Sequence, residues 1–171
     1  MRRVLILGSP GAGKSTLARK LATRTGLPLI HLDQLFWRPS WTEAPPEEWH
    51  KQLAAALAQD AWIIDGNYGN TVEMRLARAD TAILLDFPRW LCLLRTFKRV
   101  ALGWGRVRPD MPAGCPEHFD PEFLRFIWNF RKKQRLKLLS ALQRFPGRKI
   151  VMHSPAETRR LLAVFAASNR E

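Results

Sequence analysis

The segment GSPGAGKS, residues 8–15, constrains the fold of this chain more than any other stretch. An apolar run at residues 4–7 precedes it like a buried strand, and apolar residues at helical spacing follow it. Glycines cost backbone entropy on folding, so a glycine-rich interruption between a strand and a helix indicates a loop that must wrap a ligand. The spacing Gly8-x4-Gly13-Lys14-Ser15 is that of a phosphate-binding P-loop.

Each part of this loop has a physical role in holding phosphate. Successive peptide N–H groups surround the phosphate oxygens, and the following helix directs the positive end of its dipole at them. The Lys14 ammonium reaches the outer phosphates, and the Ser15 hydroxyl coordinates magnesium. A plain glycine turn would require this lysine and this serine by coincidence. The sequence therefore predicts that the chain binds a nucleoside triphosphate with Mg²⁺.

Composition and charge limit the class of protein. The 171 residues, 46% of them apolar, suit one domain with a sizeable core, and no apolar run approaches the roughly 20 residues that cross a membrane. Met1-Arg2-Arg3 leads into the P-loop strand and does not resemble a signal peptide. Cys92 and Cys115 have neither zinc-ligand nor disulfide spacing. We therefore expect a cytoplasmic protein.

The basic charge is concentrated in the middle of the chain. Residues 95–149 hold 14 basic and 4 acidic side chains, which is +10 of the total net charge of +13. Such an excess attracts polyanions, either nucleic acid or clustered phosphates. A solvated basic helix face would give the same pattern.

Strand-like and helix-like segments alternate along the chain. We predict strands at residues 4–7, 29–32, 62–64, 82–85 and 150–152, and helices at residues 14–25, 46–58, 68–78, 88–102, 121–145 and 156–168. This alternation predicts a doubly wound α/β fold around a parallel sheet. Ligands of such sheets bind at the carboxyl ends of the strands, where the P-loop, Asp33, Asp65 and Asp86 would lie.

Two aspartates compete for the metal-binding role beside Ser15. Asp65 ends the apolar strand in AWIIDG, and Asp86 ends the one in TAILLD, so either could hold the magnesium, usually through water. We favour Asp65, because the glycine after it allows a ligand to approach the backbone closely. A turn-initiating aspartate is the alternative for both.

Asp33 and the aromatic residues after it are candidates for the substrate side. A carboxylate beside the phosphate site could accept a hydrogen bond from an acceptor hydroxyl or help to bind the metal, and it could equally cap a helix. Phe36, Trp37 and Trp41, with Arg38 among them, could form a pocket for a flat ring or could pack an insertion.

Arginines flank the glycine- and proline-rich stretch GWGRVRPDMPAGC at residues 103–115. A loop of this length inside a compact domain is usually functional or mobile. The arginines concerned are Arg95, Arg99, Arg106, Arg108 and Arg131. Closing as a lid, they could neutralise the charge of a transferred phosphoryl group and exclude water. The alternative is a solvated basic loop.

Together these motifs resemble the adenylate-kinase-like P-loop kinases over nearly the full length of the chain, from GSPGAGKST through the Asp-Gly after the third strand to the arginine-bearing lid. Within that group the chain is most similar to the DNA topology modulation proteins. The matching segments are HLDQLFWRPSW, WIIDGNY, ILLDFPR, RPDMPAGCPEHFD and FIWNFRKKQR. The tryptophan-bearing insertion and the GCPE lid belong together in that family.

The resemblance implies a three-layer α/β/α P-loop domain over residues 1–171, with a five-stranded parallel sheet in the order 2-3-1-4-5. A substrate-binding insertion at residues 33–60 and an arginine-rich lid at residues 103–122 would flank the site. The residues implied to hold ATP are Gly8, Ser9, Pro10, Gly11, Ala12, Gly13, Lys14, Ser15 and Thr16. Magnesium would lie at Ser15 and Asp65, and adenine near residues 154–157.

The residues expected to carry phosphoryl transfer are Lys14, Asp33, Arg99, Arg106 and Arg108. Those expected to contact the acceptor are Asp33, Trp37, Trp41, Asp65, Gly66 and Arg75. Adenylate kinases usually read Asp-Gly-Phe-Pro-Arg after the third strand, whereas this chain reads Asp-Gly-Asn-Tyr-Gly at residues 65–69 and lacks the arginine expected beside a monophosphate. Arg75, two turns further on, is the residue that could take its place.

Two functions follow from these features. The favoured one is ATP-dependent phosphorylation of a small molecule, a nucleotide, a nucleoside or a related metabolite. The alternative is a DNA-interacting ATP-binding regulator of DNA topology, in which residues 95–149 contact DNA weakly. A degenerate nucleotide-binding scaffold is disfavoured because Lys14, Ser15 and Asp65 are all present. We expect no membrane partner, and both a monomer and a dimer are compatible with the sequence.

Overall fold

Five parallel strands form the central sheet of the structure, a computed structural model that describes residues 1–167 of the chain. In chain order the elements are β1 (Arg3–Gly8), α1 (Lys14–Thr25), β2 (Leu29–His31), α2 (Leu32–Phe36), β3 (Trp37–Arg38), β4 (Thr42–Glu43), α3 (Pro46–Ala58), β5 (Trp62–Asp65), α4 (Val72–Arg78), β6 (Thr81–Leu85), α5 (Arg89–Gly103), α6 (Pro121–Arg144), β7 (Arg148–Met152) and α7 (Pro155–Ala167).

The strand order of the large sheet is β2-β5-β1-β6-β7, and every neighbouring pair is parallel. Counted among these five strands alone, the order is 2-3-1-4-5, as expected. The numbering differs only because β3 and β4 form a separate antiparallel pair in the insertion. The predicted doubly wound α/β fold is confirmed.

Alternation along the central strand β1 divides the core into two layers. Leu5 and Leu7 point into one layer, which α3, α4 and α6 cover, and Val4 and Ile6 point into the other, which α1, α5 and α7 cover. All four side chains are fully buried. Because both faces of the sheet are covered, its inner strands consist of continuous apolar runs, which is why they were recognisable in the sequence.

The insertion after β2 differs from the prediction. The strand predicted at residues 29–32 ends at His31, and α2 begins at Leu32. Leu32 is fully buried among core residues, so the chain turns into a helix to keep that side chain inside. Asp33 therefore lies in the first turn of a short helix and not at the tip of a strand.

The remaining boundaries agree closely with the prediction. The helix predicted at residues 68–78 begins as a 3₁₀ turn, Gly69–Thr71, before α4. The helix predicted at residues 156–168 is α7, and residue 168 lies outside the described residues. Within the part of the chain that the structure describes, none of the helices combines the length and the apolar character that crossing a bilayer requires.

Candidate active site

A cleft of about 1490 Å³ opens at the carboxyl ends of the strands. Its walls come from the P-loop, the insertion at residues 33–60, the predicted lid at residues 103–122 and the start of α7. Single-ligand pockets are usually about 300–1,000 Å³ in volume. This cleft therefore has room for two ligands side by side.

The P-loop adopts a conformation that excludes side chains at its tightest point. Gly11 has φ +76°, and a Cβ there would lie 2.2 Å from the Cys92 carbonyl oxygen and 2.6 Å from Thr96 Oγ1. Helix α5 thus packs directly under the loop and needs a glycine above it. The loop and first helical residues that line the cleft are Pro10, Gly11, Ala12, Gly13, Lys14, Ser15 and Thr16.

Gly8 and Ser9 lie beneath the loop and do not line the cleft. The Asn67 side chain holds this part of the backbone from two sides. Its Oδ1 accepts a hydrogen bond from the Gly8 amide at 3.1 Å, and its Nδ2 donates to the Gly8 carbonyl at 2.6 Å. Gly8 and Ser9 therefore contribute to the loop through its backbone path.

Lys14 is folded back onto its own loop. Its Nζ donates a hydrogen bond to the Ser9 carbonyl oxygen at 3.2 Å. Burial lowers the pKa of Lys14, against the opposing charges of Asp33 and Asp65. A phosphate group in the loop would supply a stronger acceptor for this ammonium than the carbonyl does.

Ser15, Asp65 and His31 form a hydrogen-bonded chain at the base of the cleft. Ser15 Oγ donates to Asp65 Oδ2 at 2.7 Å, and His31 Nδ1 donates to Asp65 Oδ1. Asp65 and His31 are both buried. Burial opposes the charged form of His31, but the hydrogen bond and the charge of Asp65 outweigh it and raise the pKa of the imidazole. The histidine fixes one carboxylate oxygen and leaves the other facing Ser15.

Asp86, the other candidate for the metal-binding role, is paired with an arginine of α6. Arg135 donates to both of its carboxylate oxygens, each at 2.7 Å. Burial by itself favours the protonated acid, but these hydrogen bonds and the charge of Arg135 lower the pKa of Asp86. Arg131, exposed on α6, adds its charge at Asp86 and does not line the cleft.

Asp33 and Tyr68 meet in the same cleft as the P-loop, close enough to Lys14 and Asp65 for their charges to act on Asp33. The Tyr68 hydroxyl donates to Asp33 Oδ1 at 2.7 Å, which leaves Oδ2 without this partner. Burial raises the pKa of Asp33, although the tyrosine and Lys14 act in the opposite direction. Burial and the neighbouring carboxylate raise the pKa of Tyr68. The pair is a hydroxyl donor fixed beside a carboxyl group that gains a proton more readily than an exposed aspartate.

A continuous group of rings surrounds Asp33. Ring centroids are 4.7 Å apart for Phe36 and Tyr68, 5.1 Å for Phe36 and Trp37, and 5.0 Å for Trp49 and Tyr68. Trp41 continues the group, 5.6 Å from Trp37. All five rings line the cleft. The aromatic residues of the insertion thus pack on one another and also form a wall of the cleft, and their binding of a flat ring stays a prediction.

The lid packs directly against the insertion. The Ser40 amide donates to the Gly114 carbonyl at 2.8 Å, and Trp41 Nε1 donates to the Pro116 carbonyl at 3.1 Å. Gly114 has φ +80°, and a Cβ there would lie 2.8 Å from Pro39 Cβ. Two short β-bridges, Trp104 with Glu117 and Val107 with Pro116, close the base of the lid, which carried no strand pattern in its sequence.

Three of the predicted lid arginines line the cleft, and two of them, Arg99 and Arg108, are paired with buried acids. Arg99 Nε lies 3.2 Å from Glu117 Oε2, and Arg108 contacts the other oxygen of the same carboxylate. Arg108 Nη1 also lies 2.7 Å from Asp110 Oδ2. Arg95 lines the cleft as well and donates to the Ala12 carbonyl of the P-loop at 3.1 Å.

Arg106 does not join this group, and its expected role in catalysis stays a prediction. Its side chain is exposed and does not line the cleft. Its backbone anchors the lid instead, because its amide donates to Gly103 and its carbonyl accepts from Glu117, both at 2.9 Å.

Arg75 likewise lies outside the lining of the cleft, and its expected contact with an acceptor stays a prediction. Its side chain is 0% exposed and does not line the cleft. The guanidinium donates to the carbonyls of Gly66 at 2.8 Å, Tyr68 at 2.9 Å and Asn67, and burial lowers its pKa to about 9. These hydrogen bonds fix the conformation of the turn after β5, at residues 66–68.

The start of α7 forms a further part of the cleft wall. Ser154 Oγ donates to Glu157 Oε1 at 2.8 Å, the other carboxylate oxygen accepts from the His153 amide at 2.9 Å, and the Glu157 amide donates back to Ser154 Oγ at 3.4 Å, so this helix begins with a reciprocal cap. Of the segment expected near adenine, Pro155 lines the cleft, and Thr158 and Arg159 follow it there.

Several residues that lie in the site were not predicted from the sequence. Asn67 and Tyr68 stand directly after the predicted metal ligand in WIIDGNY, so their position was a usable signal. Asp110 and Glu117 are acidic residues within the most basic segment of the chain, a contrast that also could have marked them. Nothing in the sequence indicated that Trp49 would come to lie beside Tyr68.

Comparisons with known proteins agree with this geometry. The family described as ATPase family associated with various cellular activities (AAA) matches residues 4–65, about a third of the chain, which contain the P-loop and Asp65. An adenylate kinase of Clavibacter michiganensis is 31% identical over 109 residues, covering 62% of this chain and 53% of that protein. An adenylate kinase of Mycobacterium leprae is 37% identical over 93 residues, covering 52% and 49%. The chain therefore spans about half the length of the curated relatives it matches.

Solved structures show the same fold over the whole domain. The deoxyadenosine kinase of M. mycoides with bound dATP superposes with a TM-score of 0.58 at 13% identity, covering 98% of this chain and 99% of that one. The shikimate kinase of Bacteroides thetaiotaomicron gives a TM-score of 0.57 at 15% identity, with 99% of both chains covered. The fold is that of the P-loop kinases. These relatives are kinases of several kinds, so the narrower resemblance to DNA topology modulation proteins stays a prediction.

Proposed function

We propose that this protein transfers the γ-phosphoryl group of ATP to a hydroxyl group of a small molecule. One observation carries the proposal: a single cleft joins the P-loop, with Ser15 bonded to Asp65, to a second compartment around Asp33 and Tyr68. A nucleotide-binding switch or scaffold needs only the first compartment. A phosphotransferase needs both, because donor and acceptor must meet in line.

The donor site is suited to a triphosphate with magnesium. The Ser15 hydroxyl and the Asp65 carboxylate are oxygen ligands, which Mg²⁺ prefers. Within residues 1–167 no group of three or more His, Cys, Asp or Glu side chains converges as a metal site. This fits an ion that takes most of its ligands from phosphate and water. When bound, the ion would neutralise charge on the β- and γ-phosphates.

Lys14, Arg99 and Arg108 would stabilise the transferred group. In phosphoryl transfer, charge spreads over the equatorial oxygens, and fixed cations facing that position accelerate the reaction. Each of the three now contacts a protein acceptor: the Ser9 carbonyl for Lys14, and the Glu117 carboxylate for the two arginines. Phosphate oxygens would compete for these donors when ATP enters.

Asp33 would accept the proton of the acceptor hydroxyl. Tyr68 occupies Oδ1 and orients the carboxyl group, so Oδ2 is the oxygen that can receive the proton. A base works best when its pKa lies near the working pH, and burial shifts the pKa of Asp33 upward in that direction.

A Lys14→Ala substitution tests the proposal. We expect ATP affinity to fall at least tenfold by calorimetry and ATP-dependent transfer to a panel of hydroxylated metabolites to fall at least a hundredfold, because a cation facing the transferred phosphate is removed. Lys51→Ala, exposed on α3 outside the cleft, is the matched control and should change neither quantity. Full transfer activity in the Lys14 variant would refute the assignment of the donor site.

A second candidate function concerns DNA. Helix α6 exposes several basic side chains, among them Arg125, Arg131, Lys132 and Lys133. This charge favours weak contact with a polyanion, and such contact would weaken steeply as salt rises. Fluorescence anisotropy with a labelled duplex at 50 and 200 mM salt tests it, and binding that is absent or insensitive to salt would remove this candidate.

A further inference from the structure

The compartment around Asp33 and Tyr68, in which the acceptor would bind, is called the acceptor compartment here. Aromatic rings form much of its wall. Trp37 and Trp41 are partly exposed at its wall, and Trp41 is held in place by its hydrogen bond to the Pro116 carbonyl of the lid. Trp49 and Phe36 pack behind them, with ring centroids 5.3 Å apart. Rigid aromatic walls of this kind bind flat, apolar surfaces by stacking, at little cost in side-chain entropy.

The charges of this compartment are unsuited to a phosphorylated acceptor. Asp33 and Glu43 line it and are acidic. The nearby arginines are already committed: Arg75 to three backbone carbonyls, Arg38 to Glu48 at 2.6 Å, and Arg108, whose charge reaches Asp33, to Glu117 and Asp110. A phosphate dianion needs paired cationic donors. It would instead meet two carboxylates here.

A further cation that lines the cleft is Lys137, exposed on α6 one turn from Gln134. A single exposed ammonium on a flexible stem gives a weak, non-directional phosphate contact compared with a guanidinium fork. Replacing Lys137 therefore tests whether the compartment binds phosphate.

We propose that the acceptor is an uncharged alcohol bearing a flat ring, of the nucleoside class, and not a nucleoside monophosphate. This inference rests on the proposed phosphotransferase function. The ring lies against Trp37 and Trp41, and the hydroxyl group faces Asp33. The hydroxyl oxygen forms a new bond to the γ-phosphorus, the bond from that phosphorus to the β–γ bridging oxygen breaks, and ADP leaves with the electron pair. The hydroxyl proton passes to Asp33 Oδ2, so a nucleoside and ATP give a nucleoside monophosphate and ADP.

Binding and transfer are measured separately to test this. Calorimetry with adenosine, guanosine, cytidine and thymidine, each against its own 5′-monophosphate, gives affinity, and labelled ATP gives transfer. We expect at least one nucleoside to bind at least tenfold more tightly than its monophosphate and to be the better phosphoryl acceptor. A monophosphate that binds as tightly or tighter would overturn the inference while leaving the proposed transfer reaction standing. Failure to bind any of the eight compounds would also overturn it.

Matched variants separate stacking from charge. Trp41→Ala should weaken nucleoside binding about tenfold, whereas Trp90→Ala, 63% exposed on α5, should have no effect. Because Trp41 also contacts the lid, a second variant at an exposed position is included: Glu43→Lys should tighten monophosphate binding about fivefold relative to nucleoside binding. A loss of monophosphate affinity of tenfold or more in Lys137→Ala would show a phosphate subsite and contradict the proposal. Nucleoside binding without transfer from ATP would instead count against the proposed function.

Discussion

The burial of Arg75 leads to a quantitative prediction that separates a structural role from a ligand-binding one. Within the described residues this guanidinium is the donor to the Gly66 and Asn67 carbonyls, whereas the Tyr68 carbonyl also receives the Thr71 amide at 3.0 Å. Arg75→Met fills a similar volume without donors and so leaves two carbonyls unsatisfied. At about 1–3 kcal/mol for each orphaned acceptor, the free energy of unfolding should fall by about 4 kcal/mol.

The measurement is urea unfolding followed by tryptophan fluorescence, supported by thermal melting. For a chain of this size a loss of 1 kcal/mol lowers Tm by about 2–4 °C, so the expected drop is about 8–16 °C. Arg78→Met on the same helix is the matched control. Its guanidinium is exposed and donates to the Leu57 carbonyl at 3.2 Å, so its loss should cost less than about 1 kcal/mol. An Arg75 variant of native stability that had lost affinity for the acceptor would refute the structural role.

Three further predictions concern charge. The rate of phosphoryl transfer should fall as pH drops through the raised pKa of Asp33, and Asp33→Asn should lower the rate about 10²–10⁴-fold and abolish that limb of the pH profile. Arg135→Met should destabilise the fold by about 3 kcal/mol at pH 7, because Asp86 stays buried without its partner. Since Arg135 depresses the folded-state pKa of Asp86, this stabilisation is present above the ordinary aspartate range and is lost as pH falls through the folded value, so urea curves of the two proteins should converge at low pH. Glu117→Gln should tighten ATP binding about fivefold by releasing two arginines from an ion pair, whereas Glu122→Gln, exposed on α6, should not; unchanged affinity in the first variant would contradict competition between the carboxylate and phosphate.

The central sheet and the P-loop were predictable because short-range patterns determine them. Residues 4–7 are an uninterrupted apolar run, and the glycines, Lys14 and Ser15 follow at fixed spacing, so strand, loop and helix could all be placed from sequence. The choice of Asp65 over Asp86 rested on one following glycine. The structure adds what spacing could not show, that Asp65 contacts Ser15 and Asp86 contacts Arg135, 49 positions away along the chain.

The sequence was least informative about long polar side chains, because it does not determine the direction in which they extend. Arg75 and Arg106 were assigned by residue type and approximate position. An arginine on a helix can reach solvent, a ligand or a backbone turn with almost the same sequence context. For Arg75 the deciding factor was a turn of three carbonyls that no other described group satisfies as fully. For Arg106 the deciding factor was its backbone, which forms hydrogen bonds with Gly103 and Glu117 while its side chain points outward.

Hydrogen bonds between Pro39–Trp41 and residues 114–116 join two walls of the cleft, the insertion and the predicted lid. Ser40 and Trp41 both have φ near +60°, an uncommon backbone conformation for such residues, which the hydrogen bonds to the lid help to maintain. Opening the cleft at this wall would have to break these hydrogen bonds. If a product of the proposed reaction leaves there, its release and not phosphoryl transfer would limit turnover, and the turnover rate would fall as solvent viscosity rises.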